Sequence, residues 1–409
     1  MNKHRIPRSW LMLALGTVGQ TASTTVLYGL AYLIPAFQRE LGLSLAGAGL
    51  LVACPLAGVL LGLIGWGAVA DRYGERLALS AGLLIAAAAT AAAATVHGTR
   101  TLAALLVLTG AAGSSVNSAS GRLVIGWFPP DRRGIAMGVR QASQPLGTAV
   151  AAAALPPLAQ YIGLSAALGF CAALCGAAGL AIALWATDPP RPRRAAGAPA
   201  SQAPYRGGYL WRLHGAAAAL CVPQFVVTGF ALLFLTEVRG WSAGAAGGVL
   251  AAANLAGAGV RLLAGWWSDK VAGRIRPMRL LAVATTADLA LLAVGAAWDS
   301  AAGTAALLLA AGLTVSTNGL HNTAVAEYAG PHWAGRALGI HGMGQHAAVA
   351  LVPPLAGALI AGRGYPAVFA LAAVFPLVAA VLLPARDKAA YWPAPDSGRA
   401  APAPPTVEV

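Results

Sequence analysis

Five charged residues, Arg122, Arg140, Arg261, Asp288 and Glu327, stand inside long apolar runs of this sequence. A charge at the centre of a membrane helix costs roughly 2.5–3.5 kcal/mol on insertion scales, so each needs a function or a partner. Arg261 offers a planar fork of donors that never deprotonates, a match for a carboxylate or oxyanion; the alternative is an interhelical ion pair. Arg140 and Gln144 lie four residues apart on one helical face, and with Asn117 they either line a polar cavity or fasten helices together. Arg122, ten residues before Arg132, is expected to snorkel to the nearer surface. Farther along, Asn318, His321 and Asn322 share a face, and His341, Gln345 and His346 lie on the next run. Histidine changes protonation near neutral pH, and Asp288, Glu327 or His346 could carry a proton in a desolvated site. Structural hydrogen bonding is the competing reading, and Glu327 could instead pair with a loop cation. Gln20, Thr24, Thr25, Tyr28 and Gln224 complete the set of candidate cavity liners.

Other chemistry is excluded. The chain has no Gly-x-x-x-x-Gly-Lys-Ser/Thr phosphate cradle, no His-Glu-x-x-His and no coupled nucleophile, so neither an ATP-driven machine nor an enzyme is expected. No cofactor or metal is expected either: Cys54, Cys171, Cys175 and Cys221 fall in apolar runs without metal-ligand or redox spacing.

The elements that would position these residues follow from composition. Of 409 residues 58% are hydrophobic and only 10% charged, with mean hydropathy +0.69; soluble domains carry about 25% charged residues. The apolar residues collect into runs long enough to span a hydrocarbon core of roughly 30 Å as helix. Twelve spans are predicted, at 10–36, 46–70, 77–97, 101–127, 134–160, 164–186, 211–235, 245–267, 279–298, 302–328, 336–360 and 365–384. The first is read as a membrane helix rather than a cleaved leader. Residues 10–186 and 211–384 are expected as two six-helix bundles, preceded by a short terminus at 1–9. A Pro/Arg/Gly-rich linker at 187–210 is expected to join them, and a disordered tail at 385–409 to follow.

The net charge of +14 reports topology and not nucleic acid. When loops are assigned alternately to two sides, Arg39, Arg100, Arg239 and Arg363 fall on one side, while Arg122, Arg140 and Arg261 lie within spans. The remaining lysines and arginines, out of 27, share the side of both termini. The positive-inside rule puts that side in the cytoplasm of a plasma (inner) membrane protein.

The halves repeat. A shift of 201 lays Asn117 on Asn318, Pro130 on Pro331, Gly134 on Gly335, Gly138 on Gly339 and Gln144 on Gln345; a shift of 198 lays Gly67 and Asp71 on Gly265 and Asp269. Two parallel six-helix halves are one transporter architecture, with its site between the halves near the midplane.

The loops Gly67-Ala-Val-Ala-Asp71-Arg72-Tyr-Gly74-Glu-Arg76 and Gly265-Trp-Trp-Ser-Asp269-Lys270-Val-Ala-Gly273-Arg274 resemble the G-x-x-x-D-[RK]-x-G-[RK] loop of the major facilitator superfamily, and the resemblance runs from about residue 10 to 384. It implies an all-α membrane protein with twelve helices in two pseudo-symmetric bundles. It also implies gating roles for Gly67, Asp71, Arg72, Arg76, Gly265, Asp269 and Lys270. Arg261, eight residues before Asp269, resembles the eighth-helix arginine that contacts substrate in nitrate/nitrite, oxalate and monocarboxylate carriers. The second arginine of nitrate carriers is missing from 54–69. The stretch around Gln144-Pro145-Leu-Gly147 departs from the exporters' G-x-x-x-G-P-x-x-G-G, and Leu106 stands where proton antiporters carry an arginine.

The expected function is therefore secondary active transport of a small solute, an organic or inorganic anion, by alternating access, with protons as the candidate coupling ion of a symporter. The alternative is a proton-driven exporter of drugs or metabolites. A membrane receptor is disfavoured because no soluble output domain follows. The expected partners are the substrate, the lipid bilayer and protons; no nucleic acid is expected, and one chain should suffice.

Overall fold

Helix is the structure's dominant element because a chain crossing lipid must satisfy every backbone N–H and C=O internally. The computed structural model describes residues 8–96, 98–189 and 204–387. The expected terminus, linker and tail lie largely outside these residues. The helices are α1 (Arg8–Gly29), α2 (Ile34–Leu41), α3 (Leu45–Tyr73), α4 (Glu75–Ala93), α5 (Thr99–Gly113), α6 (Ser115–Trp127), α7 (Arg133–Tyr161), α8 (Leu164–Trp185), α9 (Tyr209–Leu233), α10 (Ala243–Lys270), α11 (Ile275–Ala297), α12 (Ala301–Leu313), α13 (Asn318–Ala329) and α14 (Ala334–Leu382).

These helices make twelve crossings. A 3-10 turn joins α1 to α2 as the first crossing, α5 with α6 and α12 with α13 form the fourth and tenth, and α14 breaks at Gly364 (φ 78°) into the eleventh and twelfth. Among the described residues nine helical stretches are long and apolar enough to span a membrane, the broken α14 counting once. Missing from the nine are α1 and α7, the two helices carrying Gln20, Thr24, Arg140, Gln141 and Gln144. Their polarity is a first sign that they face an interior and not lipid.

The repeat seen in sequence is physical. The second and eighth crossings both begin on a serine cap: the Ser44 hydroxyl accepts from Gly47 N at 3.2 Å and that of Ser242 from Ala245 N at 3.2 Å, each worth about 1 kcal/mol. The third and ninth crossings begin against matching carboxylates. Asp188 accepts from Arg76 N at 2.8 Å, and Asp387 accepts from Arg274 N at 2.9 Å and Ile275 N at 3.1 Å. A negative group at a helix N-terminus meets the positive end of the helix dipole.

The first six crossings pack around one apolar core that includes Leu30, Phe37, Leu79, Leu83, Leu155, Leu168 and Cys171. A second core, with Phe234, Leu292, Leu307 and Phe369, belongs to the last six. A third cluster joins the halves: Leu13, Val124, Phe128 and Met137 from the first half meet Leu210, Ile275, Leu320, Val325 and Leu338 from the second. It lies at the end bearing the Asp71 and Asp269 loops, called here the basic end. Across the seam α7 packs on α10 and α3 on α14.

Candidate functional site

At the seam the two loop carboxylates do equivalent work. Asp71, at the end of α3, accepts from the backbone N–H of Gly335 (2.8 Å) and Arg336 (3.0 Å) in the first turn of α14. Asp269, near the end of α10, accepts from Gly134 N (2.8 Å) and Ile135 N (2.9 Å) in the first turn of α7. Each carboxylate thus caps a helix of the other half. The approach is possible because four glycines meet in pairs: a Cβ on Gly134 or Gly265 would strike the other's carbonyl, and Gly67 and Gly335 are related in the same way. The basic end is closed.

Cations surround these carboxylates, Arg274 of the second loop motif among them. Arg122 does not snorkel: it is fully buried, with Nη1 2.6 Å from Asp71 and Nε 2.5 Å from Glu75. Two carboxylates compensate it more fully than a shallow water interface would, and a helix turned inward has no route to the headgroups. Arg336 adds a 2.8 Å contact to Asp71. In the second half Arg274 pairs with Asp269 (2.5 Å) and Glu327 (3.2 Å), and Arg133 reaches Glu327 across the seam at 3.4 Å. Arg72 and Lys270 are exposed and lie over the rings of Tyr73 and Trp266. Arg76 holds Ala183 O and Asp188 within its own half. Of the expected gating residues, Gly67, Asp71, Gly265 and Asp269 meet the opposite half; Arg72, Arg76 and Lys270 make their contacts within their own.

Beneath this closure lies a polar cavity with room for about 100 Å³. Its wall takes Gln20, Thr24 and Tyr28 from α1, Asn117 from α6, and Arg140, Gln141 and Gln144 from α7. From the second half come Cys221, Gln224 and Phe225 on α9, Asn318 and Asn322 on α13, and Gln345 and His346 on α14. The halves contribute matching amide pairs: Gln20 donates to Asn117 at 3.0 Å, and Asn318 donates to Gln224 at 3.2 Å. Arg140 donates to Gln141 Oε1 at 3.0 Å and makes a longer contact with Gln20 at 3.4 Å.

Four expected liners stand elsewhere. Arg261 is buried behind the wall, where its Nη1 donates to the backbone carbonyl of Gln141 at 2.6 Å. His321 and His341 are buried in the second half and bond to each other at 2.8 Å. Thr25 also turns away and donates to Gly147 O at 3.1 Å. Of the proton-carrying candidates only His346 reaches the cavity, its Nδ1 2.8 Å from Gly342 O. Asp288 is buried in α11, and neither carboxylate oxygen has a hydrogen-bond partner. Glu327 sits in the ion cluster at the basic end.

The electrostatic character of the cavity follows from what is missing. Among the described residues no carboxylate lies within ion-pair distance of Arg140 or Arg261, although the other deeply buried arginines, Arg122, Arg133 and Arg274, all have one. The Nε atoms of Arg140 and Arg261 are buried without partners. Two guanidiniums, one in the wall and one directly behind it, therefore place uncompensated positive charge where the halves meet.

The sequence reading passed over Glu75, Arg133, Arg274 and Arg336 as members of the ion clusters at the basic end, and over Cys221 and Phe225 in the cavity. It also left His214 aside. The local signal for His214 was an imidazole near the start of an otherwise apolar span, one turn after the aromatic pair Tyr209 and Trp211.

Two helical bundles that enclose one polar cavity at their shared seam, and lock at one end through paired carboxylates, form the scaffold of a multi-pass membrane carrier. The chain belongs to the Major Facilitator Superfamily, whose sequence profile it matches over residues 14–346. It is thus a transporter-family protein and not an enzyme. An uncharacterized MFS-type transporter of Mycobacterium tuberculosis, Rv2994, is 43% identical over 380 residues, covering 92% of this chain and 85% of the relative. A probable nitrate/nitrite transporter of the same organism, NarK2, is 28% identical over 266 residues, covering 64% and 66%. The human organic anion transporter MFSD10 shares the fold with a TM-score of 0.71 at 19% identity, covering 93% of this chain and all of that one. FucP in its outward conformation does so with a TM-score of 0.74 at 15% identity, covering 92% and 98%.

Proposed function

We propose that this protein is a secondary carrier that moves a small anion, an oxyanion or short carboxylate, across the plasma membrane by alternating access, with both termini in the cytoplasm. The observation that carries the reading is the pair of buried guanidiniums, Arg140 and Arg261, without a carboxylate partner. A buried cation left unpaired costs several kcal/mol, and a bound anion recovers that cost by replacing water as its counter-charge. The amides of Gln20, Asn117, Gln144, Gln224, Asn318, Asn322 and Gln345 supply neutral donors around the same space. The limited volume suits a solute of a few heavy atoms. Likeness to a relative named as a nitrate/nitrite transporter points the same way.

The roles divide between the two arginines. Arg140 contacts the anion, while Arg261 holds the α7 backbone at Gln141 and adds to the local potential. The residues of the basic end form the cytoplasmic gate, closed here, so the cavity is read as facing the opposite side. The whole cavity lies within one chain, and a monomer suffices.

The test is uptake and binding. Purified protein in detergent is screened for thermal stabilisation by nitrate, formate and oxalate, and uptake is measured in liposomes. Wild type is expected to be stabilised by at least one of these anions, and Arg140→Gln to lose both stabilisation and uptake while remaining monodisperse. Full anion uptake by Arg140→Gln rejects the reading, as does dye or antibiotic extrusion without any anion effect.

A further inference from the structure

Outside the cavity wall four side chains form one continuous hydrogen-bonded string. The hydroxyl of Tyr205 lies 3.2 Å from Nε2 of His214. His214 Nδ1 lies 2.9 Å from His341 Nδ1, and His341 Nε2 lies 2.8 Å from His321 Nδ1. The string crosses three helices, α9, α14 and α13. Tyr205 stands half-buried in the loop that precedes α9 at the basic end, whereas the imidazoles of His214, His341 and His321 are 6%, 0% and 2% exposed. At the far end His321 Nε2 is buried with no partner. Its neighbours Asn318 and Asn322 line the cavity. Among the described residues, Arg140 acts electrostatically on the His321 end and Asp71 on the Tyr205 end.

Three packed imidazoles are a costly way to fill a core that leucine fills without polar atoms, and a string with one open terminus is not a closed structural network. We propose that Tyr205, His214, His341 and His321 form a proton wire between the basic end and the central cavity. This deepens the carrier reading and rests on it for the coupling of a proton to the solute.

The geometry allows two polarities with every ring neutral, because each imidazole holds one proton and offers one lone pair. In the first, His321 Nδ1–H donates to His341, His341 Nδ1–H donates to His214, and His214 Nε2–H donates to the Tyr205 oxygen. His321 Nε2 then carries a free lone pair. A proton arriving there displaces the Nδ1 proton to His341 Nε2. His341 passes its own Nδ1 proton to His214 Nδ1, and His214 passes its Nε2 proton to the phenol, whose original proton leaves to water. One proton has entered and one has left, no charge remains on the string, and every ring is in its other tautomer. Burial raises the Tyr205 phenol above its ordinary range, so it keeps its proton between transfers.

Arg140 controls the cavity end. Its fixed positive charge opposes the transient imidazolium at His321, so the wire is silent while the cavity is empty. An anion bound at Arg140 cancels that charge and opens the wire, which makes proton entry conditional on solute.

The full-length protein is reconstituted in liposomes holding a pH-sensitive dye, and a potassium–valinomycin potential drives protons inward with no solute present. Wild-type liposomes should be tight and Arg140→Gln liposomes several-fold leakier. Adding His341→Phe to Arg140→Gln should return the leak to the wild-type level, and adding Tyr205→Phe should slow it. Since His341 is fully buried, a second break, His321→Gln, is tested in the same background, and all variants are checked for monodispersity and helicity. An Arg140→Gln leak that survives both breaks overturns the wire, and so does an Arg140→Gln protein no leakier than wild type. Because the assay uses no solute, the nitrate, formate and oxalate stabilisation test can fail independently and would remove the anion reading and its control of the wire, not the wire itself.

Discussion

Asp71 and Gly335 meet across the two halves of the molecule, the carboxylate of one accepting the backbone N–H of the other at 2.8 Å. The same carboxylate neutralises Arg122 at 2.6 Å and is almost fully buried. One residue thus satisfies a charge of its own half and a helix N-terminus of the other. Its second role exists only while the basic end is shut, and any opening of that end would have to break it.

Asp71→Asn should weaken this closure sharply. The amide keeps the volume but leaves Arg122 with only Glu75 and removes a charged cap from α14, and breaking a buried pair costs about 3–5 kcal/mol. Spin labels placed at the basic ends of α3 and α14 should report a longer distance in the variant. An unchanged distance distribution would show that the carboxylate does not hold the gate.

Gly265→Val should prevent closure by steric means. The side chain would occupy the space of the Gly134 carbonyl, and a backbone cannot yield as a flexible side chain can. Native Cys221 lines the cavity, whereas Cys171 and Cys175 are buried in the first half. Labelling of Cys221 by an impermeant maleimide added from outside should therefore fall in Gly265→Val. Equal labelling of the two proteins would refute the steric lock.

Arg140 and Arg261 should separate by their kinetics. On the proposed reading Arg140 contacts the anion directly, so its loss should abolish binding. Arg261→Gln removes a charged hydrogen bond to the Gln141 carbonyl, worth about 1.5–3 kcal/mol, and is expected to weaken anion affinity about tenfold or more while leaving detectable transport. Isothermal titration of both variants decides the matter: indistinguishable losses would place Arg261 in contact with the anion.

Asp288→Asn should stabilise the protein. Both carboxylate oxygens are buried without partners, a burden of about 1–3 kcal/mol that a neutral amide of equal size partly relieves. The position lies outside the cavity wall, so anion uptake should persist. Thermal unfolding and uptake are measured side by side; a variant of unchanged stability that has lost uptake would return Asp288 to the candidates for proton transfer.

Much of the site was legible because it depends on residue type and register. Asn117, Arg140 and Gln144 were readable as candidate liners because polar groups in a membrane span need a cavity or a helix partner, and the shift of 201 lays two of them on Asn318 and Gln345, which also line the cavity. The directions in which Arg261 and Arg122 point were illegible for a shared reason. In a soluble helix the apolar stripe reveals which side faces inward, but here lipid and protein core are equally apolar, so the rotation of a span about its axis leaves little trace. Depth along the helix could be counted from sequence, but direction could not.

By itself the sequence determined where the membrane helices run, that the halves repeat, and which family the loops resemble, because span length, glycine–carboxylate spacing and loop charge act locally or through simple counting. Only the tertiary structure decided that Arg261 braces Gln141, that Arg122 serves Asp71 and Glu75, and that His214, His341 and His321 join into one string. Those relationships need two or three helices at fixed rotations, and packing between whole bundles sets those rotations where apolar patterning within one helix does not.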